Sequence, residues 1–135
     1  MADADSPGKH VLVVNDTEEV LELFRDIIEG MGHRMTALSY APDDLAEVAK
    51  IKPDLAIVDL LFGAEGTGLQ LVQKMRMHPP TAKIPVVICT GDVKHAREQE
   101  GWLAANGINM VLKPFEVDKL ELAITKAFRL SEITR

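Results

Sequence analysis

Cysteine is nearly absent from this sequence: Cys89 stands alone, so no internal disulfide can form. It closes the apolar run IPVVIC with no activating group beside it, which reads as a small buried thiol and not a redox centre. Aromatic residues make up 4% of the chain, too few for an aromatic-rich β-sandwich and suited to helices stacked on short Val/Ile strands. A Lys/Arg cluster is also missing. With 21 acidic against 15 basic residues and a net charge of −6, the electrostatic footprint of a nucleic-acid binder is absent, and direct nucleic-acid binding is not expected. Apolar runs fall well short of the roughly 20 residues that a bilayer crossing needs. The opening MADADSPGKH lacks the charged start and apolar stretch of a signal peptide. No membrane role is expected, and the protein is expected to be soluble and cytoplasmic.

At 135 residues the chain fits one domain able to bury its own core, with no room for a second. Five short apolar runs recur along it: HVLVVN, MTALSY, LAIVDL, IPVVIC and INMVLK. The first, third, fourth and fifth are nearly continuous, the pattern of strands buried on both faces of a parallel sheet. MTALSY is more polar and is placed at an edge. Amphipathic segments lie between and after the runs. Thr17 to Met31 sets Val20, Leu23, Phe24, Ile27, Ile28 and Met31 at helical spacing, with Glu18 and Glu19 at the start and Gly30 and Gly32 at the stop. Asp43 to Lys50, Gly68 to Met77, Val93 to Asn106 and Glu116 to Leu130 complete the set, the last with Val117, Leu120, Ile124 and Ala127 facing inward. This (βα)5 alternation implies an α/β fold, a doubly wound parallel sheet with helices on both faces.

One stretch is costly as it stands. LAIVDLLFG embeds Asp59 among apolar residues, where an ionised carboxylate needs a cation or a partner. In open α/β sheets, ligands bind outside the carboxyl ends of the strands. Those ends carry Asn15 and Asp16, Asp59, Thr90, and Lys113 with Pro114. Two carboxylates and a backbone carbonyl just past Asp59 suit a hard divalent cation such as Mg2+. Lys113 can neutralise added negative charge, and the Thr90 hydroxyl can hold an anionic oxygen. A carboxylate in that company can accept a phosphoryl group, because such transfer needs positioning and charge neutralisation. Taken singly, Asp59 reads as a loop acid, Asp16 as a helix N-cap, Thr90 and Lys113-Pro114 as ordinary strand exits. Their convergence at one sheet edge carries the functional reading. His10, His33, His78 and His95 show no ligand spacing, and Trp102 reads as a packing or partner-contact residue.

The motifs VLVVNDTEE, LAIVDLLFG, VVICTGD and VLKPF, in this order and spacing, resemble the response-regulator receiver domains of two-component signalling, in particular a stand-alone, chemotaxis-regulator-like single domain. The resemblance spans residues 9–130, leaving a flexible N-terminal segment at 1–8 and a C-terminal tail at 131–135. It implies a flavodoxin-like fold of strand order 2-1-3-4-5, with Asp59 phosphorylated by a histidine kinase, a phosphotransfer protein or a small phosphodonor. It further implies Mg2+ or Mn2+ held by Asp16, Asp59 and the backbone carbonyl of Leu61, with Asn15 reaching the ion through water. Thr90 would be the switch hydroxyl, and Lys113 the phosphate-contacting lysine before a cis peptide at Pro114. Such a domain is not a conventional enzyme but a phosphoacceptor that assists its own phosphorylation and dephosphorylation. It signals to a downstream protein through the face made by the fourth helix, fifth strand and fifth helix, and a weak homodimer falls within the resemblance.

Several positions depart from the family pattern. Asn15 stands where a second acid is more usual, which removes a negative charge and predicts weaker Mg2+ binding. Met110 replaces an aromatic ring that couples to the switch hydroxyl, and a flexible methionine offers no such rigid group. Phe62-Gly63 replaces a Met-Pro pair, and the glycine-rich GAEGTG is one residue longer than usual. Gly91 keeps the site open or simply forms a turn. Leu61 and Asp92 occupy positions that tune dephosphorylation, and an apolar Leu61 predicts a long-lived phosphoryl group. Two competing readings stand beside the switch: a receiver-like binding module that acts without phosphorylation, and a flavin-binding protein or aspartate-dependent phosphatase. The last is disfavoured because NDTEEV repels phosphate and Leu61 stands where such a phosphatase has a second aspartate.

Overall fold

The computed structural model describes residues 8–42, 44–59, 67–91, 93–113 and 116–134. The expected flexible segment 1–8 (except Gly8), Asp43, Leu61, the Phe62-Gly63 and GAEG positions, Asp92, Pro114 and its peptide geometry lie outside the described residues. Five strands, β1 (His10–Val14), β2 (Arg34–Leu38), β3 (Leu55–Val58), β4 (Val86–Thr90) and β5 (Asn109–Leu112), form one sheet of order β2-β1-β3-β4-β5. Every pairing is parallel. The helices are α1 (Glu18–Gly30), α2 (Ala46–Ile51), α3 (Thr67–Met77), α4 (Val93–Glu98), α5 (Glu100–Ala105) and α6 (Val117–Thr134).

Alternation along each central strand explains its continuous apolar run. Leu12 and Val14 of β1, with Ala56 and Val58 of β3, enter a core shared with Val48, Leu71, Val72, Met75, Ala96 and Leu103. Val11 and Val13, with Leu55 and Ile57, enter the opposite core, filled by Phe24, Ile27 and Ile28 of α1 and Leu120, Ile124 and Phe128 of α6. Because successive side chains point to opposite faces, a strand covered on both sides must be apolar at every position. β2 takes the edge, as its polarity indicates.

β5 takes the other edge, as the order 2-1-3-4-5 requires, but it is less buried than its apolar run implies: Asn109, Met110 and Val111 are half-buried and Leu112 is exposed. A strand with one neighbour leaves one side of its backbone uncovered, and Asn109 suits that position better than a core. The single fourth helix expected over Val93 to Asn106 is instead two short helices broken at Gln99, whose φ of −99° and ψ of 0° leave the helical basin. Little holds that segment straight: Gly101 costs about 1 kcal/mol of helix propensity relative to alanine, and Ala96 and Leu103 are its buried apolar anchors among the described side chains.

The helix ends follow local chemistry. α1 stops in a Schellman motif, with Gly32 at φ +87° donating to the Glu29 carbonyl at 2.9 Å and His33 donating to that of Ile28 at 3.1 Å. α2 starts at Ala46, later than Asp43, where the Asp44 carboxylate accepts the Ala46 N–H at 2.8 Å. It ends at Lys52, in the left-handed region just before Pro53. Two residues expected to face inward do not: Leu23 on α1 is 47% exposed and Val117 on α6 is 45% exposed. In α6 the buried face is completed by Phe128, and the helix continues to Thr134, past the expected stop at Leu130.

Candidate functional site

Parallel register brings the polar residues to one edge. Val14 pairs with Val58, so Asn15 and Asp59 leave β1 and β3 at the same level. Thr90 pairs with Leu112, and the next residue, Lys113, donates its backbone N–H to the Thr90 carbonyl at 2.8 Å. That bond fixes the root of the lysine beside the fully buried Thr90. From there the side chain crosses toward β3, and its Nζ lies 2.9 Å from Asp59 Oδ2. The two side chains are 26% and 15% exposed, so the pair is shielded from most of the solvent. The paradox of an acid at the end of an apolar strand is resolved by this ammonium.

Asn15 is 3% exposed and faces the same oxygen, with its Nδ2 at 3.4 Å from Asp59 Oδ2. Its Oδ1 accepts the Thr17 backbone N–H at 2.8 Å. Asp16, next along, is exposed at the entrance to α1. Thr17 occupies the N-cap position with no side-chain cap bond of its own, and its N–H is held by the Asn15 side-chain amide oxygen. The direct amide contact to Asp59 is a feature that motif reading missed. Its signal was the dipeptide spacing Asn15-x-Thr17, the spacing of an Asx turn.

Gly91 is exposed, and a Cβ built on it would meet the Lys113 Cβ at 3.8 Å, an ordinary contact. Met110 is half-buried against the core that contains Ala96 and Leu103, together with the partly buried Trp102. Cys89, one residue before Thr90, is buried, and desolvation pushes its thiol up to about 12 despite the opposing pull of Lys113; it is chemically quiet at neutral pH. The histidines stay apart. His33 is buried and its Nδ1 accepts the Lys9 N–H at 3.1 Å, while His10 Nε2 meets Thr36 Oγ1 at 2.6 Å. Both sit at the amino ends of the strands, away from Asp59.

Among the described residues no cluster of three His, Cys, Asp or Glu side chains is placed to hold a metal. Two carboxylates, Asp59 and Asp16, at neighbouring strand ends fit Mg2+, which binds through one or two carboxylates and retains water. Among the described residues they do not make up a full cage of protein ligands. Among the described residues no helix is long and apolar enough to cross a membrane.

A parallel five-stranded sheet of this order, with acid, hydroxyl and lysine gathered at its carboxyl edge, defines a flavodoxin-like α/β protein of the receiver type. The chain belongs to the response regulator receiver domain family, whose model matches residues 11–125. It is 28% identical over 124 residues to the alginate biosynthesis transcriptional regulatory protein AlgB of Pseudomonas aeruginosa, covering 92% of this chain and 27% of that protein. It is 26% identical over 125 residues to the KDP operon transcriptional regulatory protein KdpE of Escherichia coli, covering 93% of this chain and 53% of that one. The chain thus spans from about a quarter to about half of the length of these relatives. Among solved structures, NtrX from Brucella abortus superposes with a TM-score of 0.79 at 26% identity, over 95% of this chain and 29% of that one. A sensor protein from Polaromonas sp. JS666 gives 0.78 at 22% identity, over 93% and 99%.

Proposed function

We propose that Asp59 is the phosphoacceptor of this receiver domain, and that phosphorylation there biases the domain between two conformations read by a partner protein. The observation that carries the reading is the Lys113 ammonium 2.9 Å from Asp59 Oδ2, at the carboxyl edge where an α/β sheet binds its ligand. An Asp59 carboxylate oxygen attacks the phosphorus of a histidine kinase phosphohistidine, of a phosphotransfer protein or of a small phosphodonor. The bond to the leaving nitrogen or oxygen breaks with its electron pair. Lys113 meets the added negative charge, and Thr90 supplies a hydroxyl to a phosphoryl oxygen. Asp16 and Asp59, with the Leu61 carbonyl and a water on Asn15, would hold Mg2+ or Mn2+, which neutralises charge on the transferred group. The apolar Leu61 offers no group to orient an attacking water, so the phosphoryl group is long-lived.

The signal leaves through the face built by α4, α5, β5 and α6. There the open edge of β5 and the side of α6 border a groove of about 780 Å³ lined by Met110, Leu112, Lys119, Leu122 and Lys126. The net charge of −6 favours a protein over a nucleic acid as the direct contact. The test is incubation of the chain and of Asp59→Asn with acetyl phosphate and Mg2+, followed by intact mass measurement. The chain gains the mass of one phosphoryl group and the variant does not. An unmodified wild-type chain supports the alternative of a binding module that works without phosphorylation.

A further inference from the structure

The orientation of the Asn15 amide is settled by its partners. A backbone N–H can only donate, so the atom 2.8 Å from the Thr17 nitrogen is the amide oxygen. The NH2 group therefore faces Asp59 Oδ2, at the long hydrogen-bond distance of 3.4 Å. Reversing the amide sets donor against donor at Thr17 and acceptor against carboxylate at Asp59. The residue cannot readily move away, because its own N–H is bonded to the Leu38 carbonyl at 3.1 Å and its side chain is 3% exposed. Asn15 and Lys113 thus bring two donors, from β1 and β5, to one oxygen of the phosphoacceptor.

We infer that Asn15 is a direct hydrogen-bond donor to Asp59 and to the phosphoryl group it carries, so that phosphorylation here depends less on a divalent cation than it does with an acid at this position. The inference rests on Asp59 being the phosphoacceptor. With acetyl phosphate, an Asp59 oxygen forms the new bond to phosphorus while the bond from phosphorus to the acetate oxygen breaks, its electron pair leaving with acetate. No proton or redox partner is required. The side chain passes from a carboxylate with one negative charge to an acyl phosphate with more, and donors already in place compensate part of the rise. A carboxylate at position 15 would instead repel that charge and need a cation between them.

The experiment compares the full chain with Asn15→Asp and Asn15→Ala, labelled by acetyl phosphate in Mg2+ or in EDTA and followed by intact mass. The ratio of initial rates, Mg2+ over EDTA, is at least about tenfold larger in Asn15→Asp than in wild type, the scale of one charge-assisted hydrogen bond. Asn15→Ala loses labelling in EDTA, and titration calorimetry shows no gain in its Mg2+ affinity, whereas Asn15→Asp binds Mg2+ more tightly. Equal ratios in wild type and Asn15→Asp, or wild-type labelling of Asn15→Ala in EDTA, overturn the inference and leave the phosphoacceptor reading standing. Should Asn15→Asp fail to fold, the Asn15→Ala comparison decides alone. No adduct on wild type in either condition overturns both.

Discussion

Replacing Lys113 by methionine keeps most of its volume and removes the charge that Asp59 faces. Two unit charges 2.9 Å apart attract by about 6 kcal/mol at an effective dielectric of about 20. Much of that is offset by the desolvation of both groups and the tethering of a long side chain. Fully exposed pairs are worth about 0–1 kcal/mol, whereas losing one partner of a buried pair costs about 3–5 kcal/mol. With 26% and 15% of the two side chains exposed, this pair falls between those limits, and its coupling energy is about 2 kcal/mol. Urea denaturation of wild type, Lys113→Met, Asp59→Asn and the double variant reads that coupling as a cycle. Lys113→Met alone lowers Tm by roughly 6–10 °C at neutral pH. If the two single effects add to within about 0.5 kcal/mol, the ammonium does not stabilise the carboxylate, and the account of why an acid can end β3 fails with it.

Burial, reinforced by the Lys9 charge and only partly opposed by Asp54, lowers the His33 pKa below its usual 6.5. The fold therefore binds this proton more weakly than the unfolded chain does, so stability is greatest above about pH 6.5 and declines as pH falls from there toward the lowered value; denaturation at pH 7.5 and pH 5.5 shows the decline, and His33→Gln reduces it. Arg76 donates through Nη1 to the carbonyls of Ala82 at 3.2 Å and Ile84 at 2.7 Å, tying the turn after α3 to the start of β4. Arg76→Ala loses about 2–3 kcal/mol in chemical denaturation while leaving phosphoryl labelling of Asp59 in place. Cys89, buried with its thiol pushed up to about 12, resists an aromatic disulfide reagent at pH 8 in the native protein and reacts at once in urea; fast native labelling contradicts its burial.

The central strands were legible because β1, β3 and β4 are covered on both faces, which forbids polar residues along them and leaves an unmistakable pattern. β5 carries a similar run, INMVLK, and takes the edge that the order 2-1-3-4-5 assigns it, but its half-buried residues and exposed Leu112 show that an apolar run overstates how fully a strand is covered. Lys113 and Asp59, 54 positions apart in the chain, were paired from sequence because parallel topology delivers every strand end to the same rim. The direction of the Asn15 amide was not legible, since it depends on which neighbour offers a donor and which an acceptor. The interruption at Gln99 was hidden for a related reason: periodicity reports which face of a helix is apolar, and the phase of Ala96 and Leu103 is the same whether or not the backbone bends between them.

That interruption has a mechanical side. α4 and α5 are six residues each, at most half of the about 12–15 at which a lone helix begins to hold in water. Among the described side chains, Ala96, Leu103 and the flank of Trp102 pack them against the core. Few buried anchors predict that the amide hydrogens of this corner exchange with solvent before those of α1 or α6, which hydrogen-exchange measurement checks. The corner begins three residues after Thr90, so the phosphorylation proposed at Asp59 would act beside two of the shortest helices described.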